Sequence, residues 1–452
     1  MDNNITIWNA LKYGNIFTKL SIVVFGLGSL VHKQIARFIL LFGAEIIYLI
    51  YMVTIGFNSL VNMVTLGTVT QQESFNEALG IFEYTRGDNS MLFLLYGVIT
   101  LAITAAFFVF MVTSIKYAYA AQLVNEQGTP QPKFRDDLKS LSDTNLHKAL
   151  LTFPIIGLLI FTVIPLVFMI LIAFTNFDHM HQPPGNLFDW VGITNFVQIL
   201  STGGRLTHTF WRVLGWTLIW AFCATFSNYF LGMLLAITIN RKDTKCKKMW
   251  RFIFALSIAL PAFVSLLTMR TIFHANGAMN VLLRNWGIIE ATASVRFFTH
   301  PTIAKVMVIV INIWIGVPYT LMNTTGILQN IPSELYESAR VDGAGAWATF
   351  RKITLPYMNF VMAPALITAF VGNVNNFNVI FLLTGGGPDT MMFYQAGRTD
   401  LLVTWLFRLT ITHRDYNLGS VIAIFMFVLM AGASLLTYSR IGSYKDEEAF
   451  QK

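Results

Sequence analysis

The chain has 452 residues, of which 55% are hydrophobic and only 12% charged, where a soluble domain carries about 25% charged residues. At a mean hydropathy of +0.59 the apolar residues outnumber what an aqueous core can hide, so lipid must solvate much of the surface and a soluble globular protein is excluded. The 31 Lys and Arg exceed the 23 Asp and Glu by eight charges, but they lie beside apolar blocks and form no single basic face, which argues against nucleic acid as a partner. Cys223, inside an apolar run, and Cys246, in a Lys-rich loop, read as unpaired thiols.

In chain order, the first apolar stretch is Leu20 to Val31, bracketed by Lys19 and by His32 and Lys33. It is too short to cross a bilayer, and the reading is an interfacial helix on an N-terminal segment 1–37. It resembles the apolar part of a signal peptide, but no small-residue cleavage site follows, so retention is expected. Eight windows are long enough to span, at about 38–57, 91–113, 149–174, 211–239, 252–273, 303–325, 358–383 and 417–439. The expected class is therefore an all-α polytopic transmembrane helical bundle. The polar stretch 114–148, with Gly128, Pro130 and Pro132, divides a two-span piece (38–148) from a six-span core (149–440), and a tail (441–452) follows. With the N-terminus inside, 21 of the 31 Lys and Arg fall on the cytoplasmic side, so both termini are expected there. No internal repeat is visible.

Chemistry is sparse along this path. An ion-coupled transporter needs ionisable groups at mid-membrane, yet spans four to eight carry charge only near their ends, at Arg212, Arg270 and Lys305. The exception in the chain is Glu45, within FILLFGAEIIYLIYM, readable either as a coupling acid or as a paired acid gripping a neighbouring helix. The eight histidines show no metal-ligand spacing, and no G-x-x-x-x-G-K-[ST] phosphate loop is present. No catalytic constellation or cofactor site emerges, and energy for transport would come from another subunit.

The loop between spans six and seven, IPSELYESARVDGAGAWATFRKITLP (331–356), is the most informative segment. Asn330 can cap a helix, Pro332 suits its first turn, and Glu334 complements its dipole. That helix should run to about Asp342, bend at Gly343 and Gly345, and continue as a short helix presenting Trp347, Phe350 and Ile353. The segment resembles the EAA loop of ABC importer permeases. Glu337-Ser338-Ala339, Gly343, Ile353 and Leu355-Pro356 keep every spacing of that motif, with Ser338 for the middle alanine the one departure. The resemblance implies a coupling helix seated in a cleft of a separate ATPase subunit, with Glu337 facing a basic residue there.

Residues from about 150 to 440 resemble the maltose and maltodextrin importer permease of the MalF type, notably NIWIGVPY (312–319), NNFNVIFLLTGGGPD (375–389) and DLLVT (400–404). This implies a type I (MetI-like) importer permease core with no cofactor of its own, ATP and Mg being held by an ATPase dimer. It also implies a second homologous permease, an extracytoplasmic sugar-binding protein and a plasma-membrane location. Segment 175–210 is only a short loop, as in versions from Gram-positive bacteria, so contacts made by the large insert of some relatives do not carry over.

Independently of any family, the seventh span gathers Asn373, Asn375, Asn376 and Asn378. An unpaired buried amide costs roughly 1–3 kcal/mol, so these groups must meet other helices, water or a ligand. Neutral amides near aromatic rings suit a sugar; an ion would want charge. Span six adds Asn312, Gly316 and Tyr319 at i, i+4 and i+7, with Pro318 able to bend the helix. Interhelical hydrogen bonding is the alternative for any one of these residues. By resemblance Asn312, Gly316, Tyr319, Asn373 and Asn376 fall where the maltose importer lines its sugar site, and Gly372 stands where that family can present an aromatic ring. Asn375 and Asn378 read as packing or gating residues, and Gly385 to Asp389 as an external turn. The expected function is inward, ATP-driven passage of maltodextrin. A raffinose-type sugar and ion-coupled transport remain the competing readings.

Overall fold

The computed structural model describes residues 5–439 except 78, 133, 202 and 242; the expected tail 441–452 and the cations Lys133, Lys242, Arg440, Lys445 and Lys452 lie outside the described residues. The chain forms two compact units, Met1–Gly192 and Ile193–Lys452. Among the described residues, seven helices are long and apolar enough to span, and a pair bent by 89° makes up to eight.

In the first unit α1 (Ile7–Tyr13), α2 (Ile16–Leu20) and α3 (Leu27–Val31) precede the long α4 (Ile35–Thr65). The single interfacial helix expected over Leu20 to Val31 does not form. Ser21 ends α2, its hydroxyl donating to Phe17 O and accepting from the Gly28 N–H, each at about 2.8–2.9 Å. The turn sends Thr18, Ser21 and Ser29 inward, all fully buried, against α5 (Ser90–Glu126), where Gly28 is close enough that a Cβ would lie 2.5 Å from Ala118 Cβ. Glu45 of α4 is buried and accepts the Phe25 N–H at 2.7 Å. Ser114 accepts the Gly26 N–H (2.8 Å) and donates to Ser21 O (3.0 Å), while Gln122 Oε1 accepts from Asn15 N (2.8 Å) and the Thr18 hydroxyl (2.9 Å). Glu45 thus fits the second of its two expected roles, a paired acid holding helices together.

Between α4 and α5 an antiparallel hairpin, β1 (Glu73–Asn76) and β2 (Ile81–Tyr84), pairs Glu73 with Tyr84 through Asn76 with Ile81. It has no counterpart in the sequence reading. After α6 (Phe134–Ser142), whose Asp137 is gripped by Arg37, α7 (Leu146–Ile172) packs its last turns on α5. The loop beyond it returns, Trp190 Nε1 donating to the Met63 and Val64 carbonyls at 3.2 and 3.1 Å. These contacts place the third span in the first unit, whereas the expected division fell at 114–148.

The second unit begins with α8 (Thr194–Leu200) and the long α9 (Arg205–Asn240). The fifth window is bent by 89° into α10 (Lys247–Ala259) and α11 (Ala262–Ile272), broken where Leu260 is held extended (ψ 129°) before Pro261. Next come α12 (Ala278–Asn285) and α13 (Pro301–Gln329), the main packing partner of α9. Their approach uses small residues: a Cβ on Gly232 would meet Thr320 Cβ at 2.7 Å. The chain then runs through α14 (Ser333–Val341) and α15 (Ala346–Thr349), which passes by a π-turn into α16 (Leu355–Val374), and on to α17 (Phe377–Thr384), α18 (Leu402–Thr412) and α19 (Tyr416–Tyr438). Tyr229, Met233, Met358 and Met362 form a core between α9 and α16.

Candidate functional site: an amide seam and an elbow

The helix α9 is apolar over most of its length but carries Thr225, Ser227 and Asn228 in its middle. Asn228 lies directly against Gly316 of α13, its Nδ2 2.2 Å from where a Cβ would stand. One turn back along α13, Asn312 is buried (6% exposed). Ser227 Oγ, Asn228 Oδ1 and Asn312 Nδ2 are buried with no hydrogen-bond partner. Such groups are rare because each forfeits a hydrogen bond worth about 1 kcal/mol and retains its desolvation cost. Neighbouring unpaired donors and acceptors without charge are what a hydroxylated ligand or water would satisfy.

Asn373 and Asn376 sit where α16 ends and α17 begins. Asn373 Nδ2 donates to Thr225 Oγ1 of α9 (3.0 Å), its carbonyl accepts from Trp220 Nε1 (3.0 Å), and its Oδ1 accepts from Asn376 Nδ2 (3.4 Å). Asn376 also caps α17, accepting the Val379 N–H at 3.3 Å. Four of the five predicted residues therefore face α9 or one another. Tyr319 is set apart: it is 47% exposed and borders a cavity of about 80 Å³ with Trp314, Ile315, Ser257, Leu260 and Ser265. Beside Gly372 the space is open, with no atom within 4 Å of an added Cβ. Asn228, Ser227, Thr225 and Trp220 were not foreseen as members, although the run Ser227-Asn228-Tyr229 inside an apolar helix carries the same signal as the asparagines of span seven.

The segment 331–356 is a helix, a bend and a helix. Asn330 closes α13 and does not start α14, because Pro332, extended at ψ 132°, takes the N-cap position. Gly343 adopts φ +73°, so that its own N–H reaches Arg340 O (3.0 Å) and the Ala344 N–H reaches Ala339 O (2.8 Å), a Schellman-type stop. Tyr336 and Thr354 are hydrogen-bonded at 3.1 Å, tying the two arms. The Trp347 and Phe350 rings lie 5.6 Å apart, tilted by 35°. Glu337 and Ser338 are exposed, Ala339 partly so, while Ile353 and Leu355 turn inward beside Pro356. Val341 is 87% and Trp347 71% exposed, an uncovered apolar surface on an otherwise polar elbow.

At the other end of α13 and α16, Gly385–Asp389 forms a turn with Gly385 and Gly386 at φ +60° and +87°. Arg408 donates to Asp389 (2.8 Å) and Asp400 (3.2 Å). Burial pushes Asp400 up to about 6 even though the Gly397 N–H and Arg408 favour its charge.

A multi-span helical bundle with an elbow that holds this motif defines the membrane subunit of a binding-protein-dependent importer, and the family model of the binding-protein-dependent transport system inner membrane component matches residues 228–440. More narrowly, the chain belongs to the maltose/maltodextrin-type permeases of ABC importers. It is 32% identical over 434 residues, covering 94% of this chain and 96% of the relative, to the maltodextrin transport system permease protein MalC of Streptococcus pneumoniae. It is also 34% identical over 363 residues (80% and 85%) to the galactooligosaccharides transport system permease protein GanP of Bacillus subtilis. A chain of a bacterial ABC transporter that imports the acidic polysaccharide alginate superposes with TM-score 0.53 at 25% identity, over 67% of this chain and 96% of that one. The chain is a transporter subunit and not an enzyme; ATP hydrolysis belongs to a separate subunit.

Proposed function

We propose that this chain passes neutral oligosaccharide of the maltodextrin type into the cell. It would act with a second homologous permease, a pair of ATPase subunits holding ATP and Mg, and an extracytoplasmic sugar-binding protein. It would lie in the plasma membrane of a Gram-positive bacterium with both termini cytoplasmic. The observation that carries the cargo class is the seam of unpaired, uncharged amides between α9 and α13, with Asn373 of α16 bonded to Thr225 of α9 and Asn376 bonded to Asn373. Its polarity suits hydroxyl groups and offers an ion no counter-charge. In this reading Asn312, Gly316, Asn373 and Asn376 contact sugar, and Tyr319 joins them when α13 turns. Glu337, Ser338, Ala339, Gly343, Ile353, Leu355 and Pro356 form the ATPase-coupling elbow, whose exposed Val341 and Trp347 the partner would cover. ATP-driven closure of the ATPase pair would move the elbow, and with it α13 and α16, turning the seam outward; hydrolysis would reverse the turn.

A second reading keeps the mechanism and changes the cargo to a galactose- or raffinose-type oligosaccharide, and the GanP relative favours it as the runner-up. A panel of oligosaccharides tested for stimulation of ATP hydrolysis by the reconstituted complex separates the two: strongest stimulation by α-1,4-glucans supports maltodextrin, and stimulation by galactosides alone overturns it. Glu337→Lys should insert normally yet lose sugar-stimulated hydrolysis. Uptake in proteoliposomes that persists without ATP and collapses with a proton uncoupler would reject the ATP-driven mechanism.

A further inference from the structure

At the end of α9 and α13 remote from the elbow lies a cavity of about 310 Å³ bordered by Trp211, Arg212, Trp216, Lys305, Arg398 and Asp400. Its cations are seated on aromatic faces: Lys305 Nζ lies 4.4 Å from the Trp216 ring centroid, and the Arg398 guanidinium 4.7 Å from that of Phe393. Lys305 feels the charges of both Arg398 and Arg212. The acid on this wall is already engaged, because Asp400 Oδ2 accepts from the Gly397 N–H (2.7 Å) and Arg408 (3.2 Å), and Arg408 is shared with Asp389. Among the described residues no carboxylate pairs with Arg212, Lys305 or Arg398. Three mutually repelling cations held around one cavity, with two ring faces already covered by cations, leave little for a neutral sugar to stack on and much for an anion to neutralise.

Depth narrows the source of the anion. Helix α9 runs 36 residues and α13 29, about 54 and 44 Å against a hydrocarbon thickness of about 30 Å. Each overhangs the apolar layer, and Arg212 and Lys305, seven and four residues into their helices, fall near its edge. Ile219, which also borders the cavity, is 57% exposed about two turns deeper, and Trp211 is 54% exposed beside Arg212. Cations at the edge with apolar side chains below them match a headgroup phosphate whose acyl chains run down the helix.

We propose that this cavity is an anion site that holds the phosphodiester of a phospholipid headgroup. On the orientation proposed above it faces outward, the side that Lys and Arg ordinarily avoid; the side rests on that orientation, the cavity does not. The site would fix a lipid against the ends of the two helices that must turn during transport.

The test uses the full chain in its complex, purified in mild detergent, with retained phosphatidylglycerol counted by native mass spectrometry. Reloading from phosphatidylglycerol or phosphatidylcholine vesicles is then followed with and without inorganic phosphate. Wild type should retain phosphatidylglycerol, and Arg212→Gln should lower its retention roughly fivefold; Arg212 is exposed, so the fold is spared. Arg212→Lys should restore retention, which a purely structural role would not predict. Equal retention by wild type, Arg212→Gln and Arg398→Gln overturns the proposal. So does a site that millimolar inorganic phosphate empties of lipid. Failure of the ATPase or sugar assays leaves this readout unaffected, so the two readings fail separately.

Discussion

Two buried polar regions of this chain, both inside apolar helices, are built in opposite ways. Around Glu45 most of the polar atoms close on one another, Ser29 Oγ excepted: the Phe25 N–H on the carboxylate, Ser114 bridging Gly26 and Ser21, Gln122 holding Asn15 and Thr18. Along the α9–α13 seam Asn228 and Asn312 each leave an atom unpaired, as does Ser227 beside Asn228 in the chain. A largely satisfied network rigidifies what it joins; in the proposed reading the unsatisfied one keeps hydrogen-bonding capacity for a sugar that comes and goes. In the proposed reading charge marks the structural site and neutrality the working one, the reverse of the usual expectation that an intramembrane acid is functional.

The contrast breaks most visibly at Asn312. Asn312→Leu removes a donor that has no partner, so stability should hold or rise while transport falls by at least about tenfold; unfolding without a specific transport defect would place Asn312 in the structural class. Asp400 offers a third, half-saturated case. Its carboxyl is raised from 3.8 to about 6, so protonation favours the folded turn. The stabilisation is complete below about pH 4 and is lost as pH rises toward 6, by up to about 3 kcal/mol. Exchange protection of 385–400, corrected for intrinsic rates, should fall across that range in wild type and stay flat in Asp400→Asn.

Glu45→Leu strands the Phe25 N–H and should cost about 2 kcal/mol of stability, read as a lower melting temperature, with uptake per folded molecule unchanged. A transport defect at full stability would restore Glu45 as a coupling acid. The smallest effect is expected at Gly372, where there is open space: Gly372→Phe should alter sugar KM by about two- to tenfold, the worth of one stacking ring, with no change in stability.

Legibility differed with the range of the interactions involved. The elbow was readable because its features are local: a proline at a helix start, a glycine at φ +73° and fixed spacings between them. The Tyr336–Thr354 bond that ties its arms joins residues eighteen apart and leaves no mark in a pattern. Asn330 was assigned to the wrong helix because a cap signal does not say which of two abutting ends it serves. The break at Leu260–Pro261 was foreseeable from proline alone, but high hydropathy on both sides masked it. The strands ESFN and IFEY are too short for alternation to register. Of the site, the asparagines of span seven were visible as polar groups in an apolar run. That Asn228 would sit opposite Gly316 required the packing of α9 on α13.

From Ala346 to Val374 the helix is continuous through its π-turn, 29 residues with one end in the elbow and the other at Asn373. A rod of that length, about 44 Å, swung by roughly 5° about its inner end carries its far tip sideways by about 4 Å. On the proposed coupling, a nudge at the elbow would be geared up to nearly the width of a sugar ring's contact. The backbone leaves the helix at Asn375 (ψ 17°) and Asn376 (ψ 86°) before α17, the joint at which the proposed motion would be taken up.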